Sequence, residues 1–301
     1  MTKTFALVGH PVGHSLSPQI HAAAYAHLAL PYEYLVVDCP TEYAAAAQVQ
    51  RLRDGEIAGL NFTVPWKRFA LNQADAIDES ARATGAANVL CCVGGQVVAH
   101  NTDAPALGRL LRQGRANRDS ETAVVLGSGG AALAAVVACR RAGARRVYVT
   151  ARKWQEEVPV ADWAKVEDFL ALGAIPCAWG TAGNPRAETL VRALKDADLI
   201  VQSTSAGMLG VGQGEVVRDV IPWGALNREV FLYDVVYNPA RTPFLKAATD
   251  AGLNAEGGLS MLVLQAALGF ELWLGTSAPL EPMKSAAERA LYRAVHAEVA
   301  P

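Results

Sequence analysis

The side chains best suited to chemistry fall into five short segments spread along the chain. Gly13-His14-Ser15-Leu16-Ser17-Pro18 sets two hydroxyls in a loop that leads into a helix. Asn61-Phe62-Thr63-Val64-Pro65-Trp66-Lys67 ends a strand with alternating polar residues and then starts a helix bearing a lysine. Asn88 stands in the next strand, His100-Asn101-Thr102-Asp103 supplies a carboxylate beside a hydroxyl and an amide, and Gln265 follows Met261-Leu262-Val263. Folding demands none of these clusters. Converging near the C-terminal ends of parallel strands, where open α/β sheets bind ligands, such groups suit a small polyhydroxylated acid.

A second feature is the turn Gly127-Ser128-Gly129-Gly130-Ala131-Ala132, which follows the apolar run Thr122–Leu126 and precedes a helical pattern. This is G-x-G-x-x-A in a strand–turn–helix context. The first glycine allows the tight turn, the second lets backbone approach a pyrophosphate, and Ala132 allows close helix–sheet packing. The helix N-terminus offers free N–H groups and a partial positive charge to phosphates, so a dinucleotide is expected here. An NAD site usually has an acid at the end of the next strand. This chain has Thr150-Ala151-Arg152-Lys153 instead. A guanidinium fork matches a 2′-phosphate, so NADP is the expected cofactor, with NAD as the alternative. The competing structural reading makes Arg152 and Lys153 solvated loop charges.

The elements that must position these groups alternate along the chain. Strands are expected at Phe5–Val8, Tyr34–Val37, Leu60–Val64, Asn88–Val93 and Val97–His100, the last two joined at Gly94-Gly95. Ser17 is expected to cap a helix that runs to about Leu28, Thr41 a helix to Arg53, and Pro65 to open another. In the middle of the chain, strands Thr122–Leu126, Arg146–Thr150, Leu199–Gln202 and Phe231–Val235 alternate with helices such as Ala131–Arg141, with Gly143 just past its end. Gly207–Glu215 reads as a mobile loop, Arg112–Ser120 as a polar connection after a helix from Pro105, and the chain from Leu259 onward as helical. The expected fold is α/β with two domains: an αβα domain around a mainly parallel sheet, built from residues 1–104 and 256–301, and a Rossmann-like domain over residues 105–255.

The totals narrow the function. A chain of 301 residues, 51% hydrophobic, is long enough for two well-filled cores. A net charge of -2 gives no electrostatic reason to expect nucleic acid or an anionic membrane as partner. The five cysteines (Cys39, Cys91, Cys92, Cys139, Cys177) have no metal-ligand spacing, so no metal is expected and reduced thiols in a cytoplasm are the simpler reading. Met1 runs straight into a strand pattern, without a signal peptide, and no apolar run reaches membrane-spanning length.

Taken together, H-S-x-S-P at 14–18, N-x-T-V-P-x-K at 61–67, N-T-D at 101–103, the glycine turn, Asp234-Val235-Val236-Tyr237-Asn238-Pro239 with Thr242-Pro243, and Met261-Leu262-Val263-Leu264-Gln265-Ala266 resemble the shikimate dehydrogenase family along nearly the whole chain. The resemblance implies reversible, NADPH-dependent reduction of 3-dehydroshikimate to shikimate, by a monomer or homodimer on the route to chorismate and the aromatic amino acids. It implies that Lys67 is catalytic and Asp103 its partner. It also implies that Ser15, Ser17 and Tyr237 meet the substrate carboxylate, and that Thr63, Asn88, Asp103 and Gln265 meet its ring hydroxyls. Gly127, Ser128, Gly129, Gly130, Ala131, Arg152, Lys153 and Thr204 would hold the cofactor. The chain departs from the family pattern at Val89, Ala104, Ala151-Arg152-Lys153 and Ser260. An NAD-dependent quinate/shikimate dehydrogenase, a paralogue acting on an amino analogue, and a catalytically silent ligand sensor are the alternatives. Without ligands, Ser17 would be a helix cap, Asn88 a turn brace and Lys67 a solvated helix lysine.

Overall fold

In the computed structural model, which describes residues 2–116, 120–154, 160 and 163–297, the first hundred residues give β1 (Thr4–Gly9), α1 (Ser17–His27), β2 (Glu33–Asp38), α2 (Glu42–Arg53), β3 (Gly59–Phe62), α3 (Lys67–Asn72), β4 (Ala76–Ile77), α4 (Glu79–Thr84), β5 (Val89–Val93) and β6 (Gln96–His100). Then follow α5 (Asp103–Gly114), β7 (Thr122–Leu126), α6 (Gly130–Arg141), β8 (Arg146–Thr150), α7 (Val166–Ala171), β9 (Ile175–Cys177), α8 (Glu188–Lys195), β10 (Leu199–Gln202), α9 (Gly214–Val220), β11 (Phe231–Asp234), α10 (Pro243–Asp250), β12 (Asn254–Gly257), α11 (Leu259–Leu274) and α12 (Leu280–Ala297). The chain divides into one unit of residues 1–106 with 262–301 and another of residues 107–261.

The first unit holds a six-stranded sheet in the order β2-β1-β3-β5-β6-β4. β1 pairs in parallel with β2 and β3, and β4 with β6, whereas β5 runs antiparallel to both its neighbours. The sheet is thus mainly parallel, as expected, and the expected hairpin forms where Gly94 and Gly95, both at positive φ, reverse the chain between β5 and β6. Phe5, Ala6 and Val8 are fully buried, as in a strand covered on both faces. The C-terminal helices belong to this unit. α12 packs on α1, and Trp273 of α11 stacks on Phe5 with ring centroids 4.9 Å apart. Gly59 makes room for that indole, since a Cβ there would lie 2.4 Å from Trp273 Nε1.

The second unit has the order β12-β11-β10-β7-β8-β9, parallel throughout. Counted from β7 this is 3-2-1-4-5-6, the doubly wound Rossmann order, whose switch point lies between β7 and β10.

Four expectations change. Ser17 is the first residue of α1 and not its cap; the cap position is Leu16, without a side-chain bond, and the Ser17 N–H donates to Ser15 Oγ at 3.2 Å. Pro65 does not open a helix: a Thr63–Trp66 turn, closed by Trp66 N–H to Thr63 C=O at 2.8 Å, delays α3 to Lys67. The glycine-rich stretch is shorter than expected, because α9 starts at Gly214. Its residues are fastened by Gly207 N–H to Gly212 C=O at 2.8 Å and Leu209 N–H to Asn238 C=O at 2.9 Å. A boundary at 255/256 would cut β12, which pairs with β11; the observed boundaries fall inside α5 and α11. Residues 117–119 of the expected polar connection and residues 298–301 of the C-terminal helical pattern lie outside the described residues.

Candidate active site

In the first unit, strand direction gathers the reactive groups. Asn61 lies near the C-terminal end of β3. Because β5 is antiparallel to β3 and to β6, Asn61 pairs with Val89 and Val89 with His100. The residue before β5, Asn88, and the segment after β6, Asn101-Thr102-Asp103, thus meet at the same end of the sheet. The turn after β3 delivers Lys67 as the first residue of α3, and Asp103 is the first residue of α5.

Lys67 Nζ donates to Asp103 Oδ2 at 2.7 Å, with side chains only 16% and 7% exposed. The other carboxylate oxygen, Oδ1, accepts from Asn88 Nδ2 at 2.9 Å. Asn88 is fixed in orientation, since its Oδ1 accepts the Thr102 N–H at 2.8 Å and its Nδ2 also donates to Thr102 Oγ1 at 2.9 Å. The third acceptor around Nδ2, Gln265 Oε1 at 3.3 Å, makes the weakest contact of the set. Gln265 is held by donation from Nε2 to Leu262 C=O at 2.8 Å, which leaves its Oε1 as a lightly used acceptor. Asn101 braces the segment: Oδ1 accepts the Ala104 N–H at 3.1 Å and Nδ2 donates to Ala86 C=O at 3.0 Å. Ser15 Oγ donates to Ser17 Oγ at 3.1 Å, and Thr63 is half-buried just past β3. The result is a cation and carboxylate pair set among amides and hydroxyls, able to hold a small hydroxylated molecule and to exchange a proton with it.

In the second unit, the glycine turn follows β7 at the switch point. Gly127 has φ +135°, and a Cβ there would lie 2.7 Å from Ser203 Oγ. Ser203 is locked against β7 by donating from Oγ to Leu126 C=O at 2.8 Å. Only glycine fits between the two strand ends. Gly129 has open space in front of it. It caps α6 without a side-chain bond, which leaves the N–H groups at the start of this twelve-residue helix free of a capping side chain. Ser128, Gly130 and Ala131 are part-exposed beside it. At the end of β8, Arg152 and Lys153 are exposed. Arg152 donates from Nη1 to the neutral amide oxygen of Gln213, a partner that leaves its charge in place. Thr204 closes a tight local turn after β10, its Oγ1 accepting the Ala206 N–H at 3.0 Å. An uncapped helix end, a glycine cradle and a guanidinium on a neutral partner fit a phosphorylated dinucleotide.

Tyr237 lies in this same unit, on the loop after β11. Asp234 pins that loop. Its carboxylate is fully buried and accepts from Thr242 Oγ1 at 2.6 Å and from the Val236 N–H at 3.0 Å. Burial pushes its pKa up to about 7 against these hydrogen bonds. The folded state therefore binds a proton that the unfolded chain releases, and unfolding free energy falls as pH rises from about 4 to about 7. Asp234→Asn is expected to remove this slope, on the order of 2–4 kcal/mol across the window. Urea unfolding of both proteins across that range checks it, and parallel curves would refute it.

The sequence segments already contained Asn61 and Thr102, whose bracing roles emerge only from the fold. Tyr34, Ser203 and Gln213 carried no sequence signal.

Residues 7–90 match the family model described as shikimate dehydrogenase substrate binding domain, and residues 258–288 match shikimate 5'-dehydrogenase C-terminal domain. A shikimate dehydrogenase (NADP(+)) of Methanopyrus kandleri is 36% identical over 95% of this chain and 94% of its own length. The structure of shikimate 5-dehydrogenase from Thermus thermophilus with NADP(H) and shikimate aligns with a TM-score of 0.77 and 33% identity, covering 96% of this chain and 100% of the other. A ligand-free 5-ketofructose reductase from a Gluconobacter species aligns with a TM-score of 0.78 at 27% identity, covering 96% of this chain and 99% of the other.

Proposed function

This chain belongs to the shikimate dehydrogenase family, and from that premise we propose that it reversibly reduces 3-dehydroshikimate to shikimate with NADPH. The observation that carries this reading is the Lys67–Asp103 pair, joined at 2.7 Å among amides and hydroxyls. NADPH, when bound, supplies the hydride that the ketone carbon receives, and NADP accepts it in the reverse direction. The carbonyl oxygen then needs a proton, which Lys67 Nζ donates while its charge stabilises the developing alkoxide. Asp103 holds Lys67 in place and hydrogen-bonds the reacting oxygen, and Asn88 fixes Asp103. In the opposite direction Lys67 receives the hydroxyl proton. Ser15, Ser17 and Tyr237 bind the substrate carboxylate, and Thr63, Asn88, Asp103 and Gln265 bind the ring hydroxyls.

The first unit is thus the substrate domain and the second the cofactor domain. Gly127, Ser128, Gly129, Gly130 and Ala131 cradle the pyrophosphate, with Thr204 beside them, and Arg152 and Lys153 meet the 2′-phosphate of NADP. A guanidinium bonded to the neutral Gln213 supports NADP over NAD. A silent sensor has no use for a proton donor, so the retained Lys67–Asp103 pair supports an enzyme. The role is cytoplasmic, on the route to chorismate and the aromatic amino acids. The five cysteines are free, in keeping with a reducing compartment, and among the described residues no helix is long and apolar enough to cross a membrane. Purified protein given shikimate and NADP is expected to produce the near-ultraviolet absorbance of NADPH, and to consume it when given 3-dehydroshikimate. No change in either direction would overturn the assignment.

A further inference from the structure

Tyr34, on the edge strand β2, lies outside every motif described above, yet its hydroxyl sits inside the polar network. It donates to Asn61 Oδ1 at 2.5 Å. A phenol has one proton, and here it is spent on Asn61. Asn61 Nδ2 donates to Asn88 C=O at 3.0 Å, and Asn88 Nδ2 donates to Asp103 Oδ1 at 2.9 Å. The donors run in one direction from Tyr34 through Asn61 to Asn88, the residue that holds Asp103. Tyr34 is the first donor in this chain of bonds.

The ring is well fixed for such a task. His21 lies flat on it, with centroids 4.2 Å apart and planes at 4°, and burial lowers the His21 pKa to about 3, which keeps that imidazole neutral. Trp273 flanks it at 6.4 Å. Burial also pushes the phenol pKa well up, so its proton stays in place.

We propose that Tyr34 is a positioning residue for the substrate: its hydroxyl sets the amide orientation of Asn61, and so steadies Asn88 and, through it, Asp103, where the ring hydroxyls bind. The inference rests on the functional reading above. Tyr34 touches neither Lys67 nor the reacting atoms, so its loss weakens binding of ground state and transition state alike, which raises KM and spares kcat.

The test is Tyr34→Phe, which removes one oxygen and leaves the ring. Its KM for shikimate is expected to rise about 5- to 20-fold, the scale of one or two hydrogen bonds, with kcat within about twofold and KM for NADP unchanged. In an Asn61→Ala background the same substitution is expected to add at most about half of that effect on a logarithmic scale, because the two side chains act through one bond. A Tyr34→Phe protein that is less stable to urea but has unchanged KM for shikimate would overturn the proposal. So would fully additive effects of the two substitutions, or a loss confined to kcat. If the native protein neither binds nor turns over shikimate, the functional reading falls as well. Native activity with an unaffected Tyr34→Phe variant sinks this inference alone.

Discussion

Lys67→Ala is expected to lower turnover of shikimate by about 10²- to 10⁴-fold, the usual contribution of a positioned acid–base group. The side chain is only 16% exposed and its ammonium is anchored by Asp103, so water cannot readily take its place at the same point. The alanine protein also leaves Asp103, 7% exposed, with Asn88 as its remaining side-chain partner, and some loss of stability is expected with the loss of rate. Lys67→Gln separates the two effects. It keeps a hydrogen-bond donor near Asp103 but carries no transferable proton, so it is expected to fold, bind shikimate and still lose turnover. Steady-state rates beside a calorimetric Kd for shikimate provide the check. Turnover within about threefold of the native protein in either variant would remove Lys67 from proton transfer.

Arg152→Ala is expected to weaken NADP binding by about 1.5–3 kcal/mol, the range for hydrogen bonds to charged groups, or roughly 10- to 150-fold in Kd, while leaving NAD binding almost unchanged. Arg152 is exposed and its partner Gln213 is neutral, so little structural disturbance should accompany the substitution. Titration of nicotinamide fluorescence with both cofactors measures the difference. Equal weakening for NADP and NAD, or none for NADP, would place the 2′-phosphate elsewhere.

Much of this was legible in the sequence because local chemistry decided it. The glycine turn needs only a strand before it and a helix after it, and Thr122–Leu126 and Gly130–Arg141 supply both. Arg152 falls at a fixed distance beyond. The Lys67–Asp103 pair spans 36 residues and came into view through family resemblance, with no local signal to join them. Other features depended on tertiary context. β12 reads Asn-Ala-Glu-Gly, a poor strand by composition, and is made one by its partner β11. α9 begins at a glycine in a glycine-rich run, which reads as loop. Ser17 sits where a cap residue would be expected, but the helix starts one residue earlier than that reading allows, and Ser15 takes the accepting role. Tyr34 meets Asn61 across β1 only because the strand order is 2-1-3, which no pattern in β2 announces.

The central claim is that the chain acts on shikimate with NADP, Lys67 and Asp103 handling the proton and Arg152 selecting the cofactor. The most direct test is the set of initial rates with shikimate and with quinate, each paired with NADP and with NAD. The account predicts that kcat/KM for shikimate with NADP exceeds the other three by about tenfold or more, the discrimination expected of one well-placed charged hydrogen bond. Equal or better turnover of quinate with NAD would contradict it.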